Sequence, residues 1–90
     1  MWEVRVKEQG AWVELRALFN KGPCYGNILI IVAKDGYEWN SETRHPTEPH
    51  QRYSTKGIDI RISSNGPIAL TFDELEEMFR QIEQAKELLK

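Results

Sequence analysis

The stretch IDIRISSNGPIALTFDE, residues 58–74, holds the local signals that decide the fold. Isoleucine occupies every second position from Ile58 to Ile62, and this period of two predicts a strand with one apolar face. Asn65-Gly66 then favours the positive φ angles of a tight turn. Residues 67–70 predict a short return strand at a sheet edge, because proline has no backbone N–H to donate.

A long helix is predicted directly after this strand. Thr71 and Glu74 have the spacing of a capping box, so the helix is expected to begin at Phe72 and to run to the C-terminus. Its apolar residues recur at helical spacing and form one stripe: Leu75, Met78, Phe79, Ile82, Ala85 and Leu89. A small sheet covers only part of so long a helix. We therefore expect its distal part to pack against a second copy, in a homodimer.

Upstream of this region, three more segments predict strands. Trp2–Lys7 and Ala11–Phe19 both alternate apolar and polar residues around a turn at Gln9-Gly10, although the second segment also fits a short helix. Ile28–Val32 is apolar and β-branched, as expected for a central strand buried on both faces. Tyr37–Trp39 is expected to continue the same sheet. The fold class predicted is α+β, an antiparallel four- to five-stranded sheet followed by one long C-terminal amphipathic helix.

The segment Asn40–Gly57 is polar, contains two prolines and shows no periodicity. It is predicted to be a loop and the most mobile part of the chain. His45, Glu48 and His50 lie close together in it, but the prolines exclude a helix that would align them. A metal site also needs a third or fourth ligand in fixed geometry. We therefore expect a solvated loop and no bound metal.

The composition is that of one globular domain spanning residues 1–90. The net charge of −2 argues against a strongly electrostatic nucleic-acid binder. The charge is unevenly placed, however: residues 1–70 hold nine Lys/Arg and eight Asp/Glu, whereas residues 71–90 hold three Lys/Arg and six Asp/Glu. An anionic ligand is therefore expected to meet the sheet rather than the acidic helix.

The sequence also bounds the location and the chemistry of the protein. The longest apolar run, Ile28–Ala33, has six residues, too few to cross a membrane. The N-terminus alternates like a strand and lacks the shape of a signal peptide. The single cysteine, Cys24, cannot form an internal disulfide, and no base is spaced to activate it. We expect a cytoplasmic protein that has no cofactor and is not an enzyme.

Aromatic side chains with basic neighbours are the most informative feature for function. Trp12 precedes Arg16 by four residues, which places both on one face of a strand. Such pairs hold single-stranded nucleic acid, because bases stack on the rings and cations neutralise the phosphates. The predicted nucleic-acid-binding residues are Trp12, Arg16, Tyr37, Trp39, Arg44, Arg52, Lys56 and Arg61. The alternative for each aromatic is a place in the core or in a dimer interface.

About the last 35 residues resemble the single-stranded-DNA-binding coactivator family, positive cofactor four, and the related Pur domains. The segments that carry the resemblance are Lys56–Arg61, Pro67–Thr71 and Phe72–Leu75. The resemblance implies a domain that dimerises through its helices and binds single strands on curved sheets. It also implies that Arg61 lies on the ligand-facing strand, with Trp12 and Trp39 as stacking candidates. The acidic balance and the tight turn at Ser64–Gly66 depart from the family pattern.

Two hypotheses of different classes follow. The leading one is a non-enzymatic domain that binds single-stranded DNA or RNA and forms a homodimer through the C-terminal helix. The alternative is a small protein-binding accessory or inhibitor module, of the phage or mobile-element type, that uses the helix or the segment 40–57.

Overall fold

The computed structural model describes residues 2–34 and 58–90 in full, and the backbone alone for residues 38–40, 45–47 and 54–55. The elements in these segments are β1 (Trp2–Lys7), β2 (Trp12–Lys21), β3 (Cys24–Ala33), β4 (Glu38–Asn40), β5 (His45–Thr47), β6 (Ser54–Thr55), β7 (Ile58–Ser64) and α1 (Phe72–Leu88).

The strands form two antiparallel sheets. A four-stranded main sheet has the order β1-β2-β3-β7, and a small three-stranded sheet has the order β5-β4-β6. The predicted α+β architecture, with the helix last, is confirmed. The expected continuation of the main sheet by Tyr37–Trp39 is wrong, because Glu38–Asn40 pairs with β5 and β6 in the second sheet. The side-chain pattern of so short a segment indicates a strand but does not indicate which strand it pairs with.

The segment Asn40–Gly57, expected to be a loop, contains β5 and β6. Both strands pair with β4, so a polar segment without periodicity still forms backbone ladders. The mobility predicted for this segment concerns residues outside those that the structure describes.

The register of the main sheet separates its side chains into two faces. Residues directly opposite one another on neighbouring strands point to the same side. Val4, Leu15, Ile30 and Ile60 are such a row across all four strands, on the side that α1 covers. We call this side the helix face. Leu15 and Ile30 are fully buried at its centre, whereas Val4 and Ile60 on the outer strands are 43% and 46% exposed.

Helix α1 begins in the predicted capping box. The Thr71 hydroxyl accepts the Glu74 N–H at 3.1 Å, and the Glu74 carboxylate accepts the Thr71 N–H at 2.9 Å. An N-cap of this kind contributes about 1 kcal/mol to stability. Lys21 forms an ion pair with Glu74 and so joins the end of β2 to the start of the helix.

The apolar stripe of α1 is buried along its whole length, through Met78, Ile82, Ala85 and Leu89. The expectation that the sheet leaves the distal part of the helix uncovered is therefore wrong. The reason is strand length: β2 and β3 have ten residues each, or about 34 Å, against about 26 Å for the 17-residue helix. Phe79, expected in the stripe, is 57% exposed on its flank.

Residues 67–70 connect β7 to α1 and are not a strand, contrary to the prediction. Ile68 and Leu70 pack against the core from this connection. The segment therefore leaves the sheet in an extended form to reach the helix, and Pro67 has no N–H with which to join a ladder.

Candidate nucleic-acid interface

The other side of the main sheet is not covered by α1, and we call it the helix-free face. By register, Glu3, Arg16, Leu29 and Arg61 lie side by side across its four strands. Two predicted binding residues, Arg16 and Arg61, thus flank Leu29, with their Cα atoms roughly 10 Å apart at the usual strand spacing. Trp12 lies on the same face, four residues from Arg16 along β2. The register therefore brings three of the predicted residues to one face.

One end of the helix-free face is closed. Trp12 is 7% exposed and Ile31 is 2% exposed, and they form a second small core with Ala11 and Leu29. The indole N–H of Trp12 donates to Glu14 at 3.5 Å. A buried ring offers no face to a base, so the structure gives Trp12 a packing role and not the stacking role predicted for it.

The other end of the helix-free face is open. Tyr25 and Leu18 are 61% and 72% exposed and lie diagonally across β3 and β2. Arg16 is exposed two residues from Leu18 on the same face. Tyr25 lies four residues before Leu29 on β3, about 13 Å from the arginine row. We define the open patch as Arg16, Leu18, Tyr25 and Arg61.

Asn65 fixes the strand end that carries Tyr25. The Asn65 side-chain oxygen accepts the Tyr25 N–H at 2.8 Å, and its side-chain nitrogen donates to the Pro23 carbonyl at 2.8 Å. The Asn65 backbone N–H donates to the Tyr25 carbonyl at 3.2 Å. These bonds join the β2–β3 turn to the end of β7. The tight turn predicted at Asn65-Gly66 is wrong, because these residues form a bend in which neither has a positive φ, and the chain leaves the sheet there instead of returning to it. The Asn65 side chain instead holds the open patch in place.

Most cations of the helix-free face already have carboxylate partners on that face. The ion pairs are Arg5–Glu3 at 2.5 Å, Lys7–Glu14 at 3.9 Å and Arg61–Asp59 at 2.9 Å. Arg16 is the exception among the cations that the register places there: it lies opposite Glu3 but forms no ion pair with a described carboxylate. An anion approaching this face therefore finds Arg16 already available.

The remaining predicted binding residues have side chains outside the described part of the chain. They are Tyr37, Trp39, Arg44, Arg52 and Lys56. Conversely, the sequence prediction missed Tyr25 and Leu18. Glycines and Pro23 around Tyr25 predict a turn, whereas β3 begins at Cys24. One signal was available in the sequence: Tyr25 and Leu29 are four residues apart, so in one strand they point to the same face.

A separate cleft of about 270 Å³ lies beside the start of α1 on the helix face. It is lined by Trp2, Phe19, Asp73, Glu74 and Glu77. A hydrogen bond from Lys21 and one from the Thr71 N–H hold the pKa of Glu74 below its ordinary value of 4.5. The Gln81 amide likewise lowers the pKa of Glu77. Because these carboxylates have partners within the chain, we interpret the cleft as part of the sheet–helix junction.

Other chemistry is sparse in the described residues. They contain no group of three His, Cys, Asp or Glu side chains placed to hold a metal ion, and the side chains of His45 and His50 lie outside them. Cys24 is a half-buried free thiol at the start of β3. No helix in the same part of the chain is long and apolar enough to cross a bilayer.

Comparison with protein-family models, with curated proteins and with solved structures finds no match for this chain. The resemblance to the positive cofactor four and Pur families accordingly stays a prediction.

Proposed function

We propose that this chain is a non-enzymatic domain that binds single-stranded DNA or RNA on its open patch. The proposal rests on one observation: Arg16, Arg61 and the exposed ring of Tyr25 lie together on the face of the four-stranded sheet that α1 does not cover. Arg16 and Arg61 keep the role that the sequence predicts for them. Tyr25 takes the stacking role predicted for Trp12.

The chemistry of the open patch suits a flexible single strand. The exposed ring of Tyr25 can stack on a base of any identity, and one such contact contributes about 1–3 kcal/mol. Arg16 and Arg61 can each contact a phosphate, and Leu29 between them gives an apolar floor. Side chains of a rigid sheet need little rearrangement to make these contacts, which reduces the entropic cost of binding.

The charge of the helix-free face favours weak binding with a shallow salt dependence. Arg61 must exchange its contact with Asp59 for one with phosphate, whereas Arg16 needs no such exchange. Two phosphate contacts per chain correspond to a slope of about −1.4 in log K against log salt for a single strand. The acidic helix lies on the opposite side of the sheet and does not repel the ligand at close range.

Fluorescence anisotropy with a labelled single-stranded oligonucleotide tests this proposal. Tyr25→Ala should weaken binding by about five- to a hundredfold. Phe72→Ala is the matched control, because Phe72 is an aromatic residue 86% exposed at the start of α1, away from the helix-free face. Arg16→Gln should make the salt slope shallower by about 0.7.

Two outcomes of the titration would contradict the proposal. One is a folded chain that gives no anisotropy change with any single strand at low salt. The other is an equal loss of binding for Tyr25→Ala and for Phe72→Ala, which would show that the open patch has no special part in binding.

A protein-binding accessory or inhibitor module is the second candidate, and the exposed apolar residues favour it. Leu18 is 72% exposed beside Tyr25, and Phe72 is 86% exposed on the helix. Tyrosine and arginine together with an exposed apolar residue are typical of protein interfaces. Leu18→Asn separates the candidates, because it removes apolar contact area and leaves the stacking ring and both cations of the open patch.

Homodimerisation also belongs to the proposal, although α1 alone offers less surface for it than the sequence indicates. Its stripe packs on the sheet, and its exposed large apolar side chains are divided between the two flanks of that stripe: Phe72 and Phe79, 86% and 57% exposed, lie on one flank and Leu88, 55% exposed, on the other. A dimer contact that includes α1 therefore needs an adjoining surface of the sheet.

A further inference from the structure

Strand β7 (Ile58–Ser64) is an outer strand of the main sheet. It pairs with β3 on one side, and no described strand pairs with its other edge. Natural edge strands are commonly protected by charged side chains, lysine above all, by proline or by a bulge. The seven residues of β7 contain neither proline nor lysine, their pairing with β3 runs without interruption, and their two charged side chains, Asp59 and Arg61, neutralise each other. The open edge of β7 is therefore suited to pairing with another strand.

Exposed apolar side chains accompany this edge on the helix face. Ile60 and Ile62 are 46% and 60% exposed. Phe79 lies on the flank of α1 that is opposite to β1. Glu77 lines the cleft beside β1, and along a helix Glu77 and Phe79 point about 100° to either side of the buried Met78. Phe79 thus faces the β7 side. We define the β7 strip as Ile60, Ile62 and Phe79.

We propose that β7 pairs antiparallel with β7 of a second copy of this chain, about a two-fold axis at Ile60. The two main sheets then form one continuous sheet of eight strands. In this register Ile60 lies opposite Ile60 of the other copy, and Ile58 lies opposite Ile62. Asp59 lies opposite Arg61, and the symmetry makes this charge pair twice.

The charge pattern of β7 selects this register over its neighbour. The sequence Ile-Asp-Ile-Arg-Ile, residues 58–62, is symmetric in its apolar residues and antisymmetric in its charges about Ile60. A two-fold axis at Arg61 instead places two arginines directly opposite each other. Opposite charges across a strand pair are stabilising and like charges are destabilising. Asp59 and Arg61 already contact each other at 2.9 Å within one chain, so the dimer places four alternating charges in one cluster.

Strand β1, the other edge of the main sheet, has the same alternation in Glu3, Val4 and Arg5. Its flank differs, however. The cleft beside β1 is lined by three carboxylates of α1: Asp73, Glu74 and Glu77. Two copies joined at β1 would each bring this acidic flank to the junction, and β1 also carries Lys7, the residue type that most often protects an edge strand. Two copies joined at β7 bring the exposed ring of Phe79, beside which Glu76 and Glu83 are accompanied by Arg80. The self-association is therefore assigned to β7, and β1 supplies a matched control.

The paired region is short, so the dimer is expected to be weak. Five residues at about 3.4 Å each give a ladder of roughly 17 Å. An interface of that length, with the β7 strip beside it, falls at or below the low end of specific interfaces, about 1,200 Å². We expect a dissociation constant in the micromolar range, on the order of 10–100 µM. The pairing does not depend on the proposed nucleic-acid binding, and its test contains no nucleic acid.

Sedimentation equilibrium over roughly a hundredfold range of protein concentration tests the proposal. The native chain should pass from the mass of one 10.5 kDa chain to twice that mass. Asp59→Arg and Arg61→Asp should each raise the dissociation constant about tenfold or more, because each places like charges opposite one another. Far-UV circular dichroism establishes that both variants are folded.

Mixing the two variants provides the decisive result. One variant then presents two cations and the other two anions, so the mixture should recover dimers that neither variant forms alone. If Asp59 and Arg61 acted only within one chain, mixing the two variants would not restore association. Glu3→Arg, the corresponding change on β1, should leave the association unchanged.

Three outcomes would overturn the proposal. The first is a native chain that stays monomeric over the whole concentration range. The second is self-association that is insensitive to both β7 variants or is not recovered on mixing them. The third is a loss of association on Glu3→Arg equal to that on Asp59→Arg, which would place the contact at β1. If the β7 variants do not fold, Ile60→Lys, at a half-exposed position, takes their place and should abolish the dimer.

Discussion

Gly26→Ala is predicted to be among the most damaging substitutions outside the apolar core. A Cβ atom built at Gly26 would lie 2.7 Å from the Ser64 Cα and closer still to the Ser63 carbonyl oxygen. Both are backbone atoms of β7, so no flexible side chain can move aside. The methyl group is accommodated only if the end of β7 separates from β3, where Gly26 pairs with Ser64.

The loss of folding stability caused by Gly26→Ala follows from this geometry. Overpacking of a single methyl group against backbone costs about 1–3 kcal/mol, and one weakened ladder hydrogen bond adds about 1 kcal/mol. A domain of this size has a total stability of roughly 5–13 kcal/mol. A loss of about 2–3 kcal/mol corresponds to a fall in melting temperature of roughly 10–20 °C, measurable by circular dichroism.

Gly22→Ala is the matched control for this substitution. Gly22 has a φ of +68° and nothing within 4 Å of a built Cβ, so only backbone strain opposes alanine there. That strain costs about 1–2 kcal/mol. A Gly26→Ala chain that melts within a few degrees of the native one, or above the Gly22→Ala chain, would refute the close-approach argument.

The acid dependence of stability and the β1–β2 turn give two further predictions. The pKa of Glu74 is lowered on folding, by Lys21 first, so this carboxylate stabilises the native state above its ordinary pKa of 4.5 and the contribution is lost as the pH falls through the lower folded value. Denaturant melts should therefore show a smaller loss of stability below pH 4.5 for Glu74→Gln than for the native chain. Glu8 and Gln9 have φ angles of 49° and 59°, so the double change Glu8→Asn with Gln9→Gly should raise stability by about 1 kcal/mol. An unchanged or lower melting temperature would contradict that expectation.

The elements predicted correctly from the sequence are those whose signals are local. The isoleucines of Ile58–Ile62 alternate, and the capping box at Thr71 and Glu74 needs only residues three apart. Residues 67–70 show where local signals stop being sufficient. Ile68 and Leu70 are half-buried and Ala69 between them is exposed, and this pattern suits a strand as well as an extended connection. Only the position of the helix decides between the two.

The candidate site required information that the sequence does not contain. The spacing of four residues along β2 places Trp12 and Arg16 on one face. The alignment of Arg16 with Arg61, however, depends on the register of two strand pairs, β2 with β3 and β3 with β7. Whether a residue on that face is open depends on what covers it, and for this reason Trp12 is buried whereas Tyr25 is exposed. Burial on a shared face is a tertiary property that periodicity alone cannot give.

Chemical-shift mapping of backbone amides tests the central claim most directly. A single-stranded oligonucleotide titrated into the isotopically labelled chain should perturb the signals of Arg16, Tyr25 and Arg61 and their neighbours on the helix-free face. The amides of α1, from Phe72 to Leu88, should stay unchanged, because the helix lies on the other side of the sheet. Perturbations confined to α1 or to the helix face, or none at any concentration, would contradict the proposed interface.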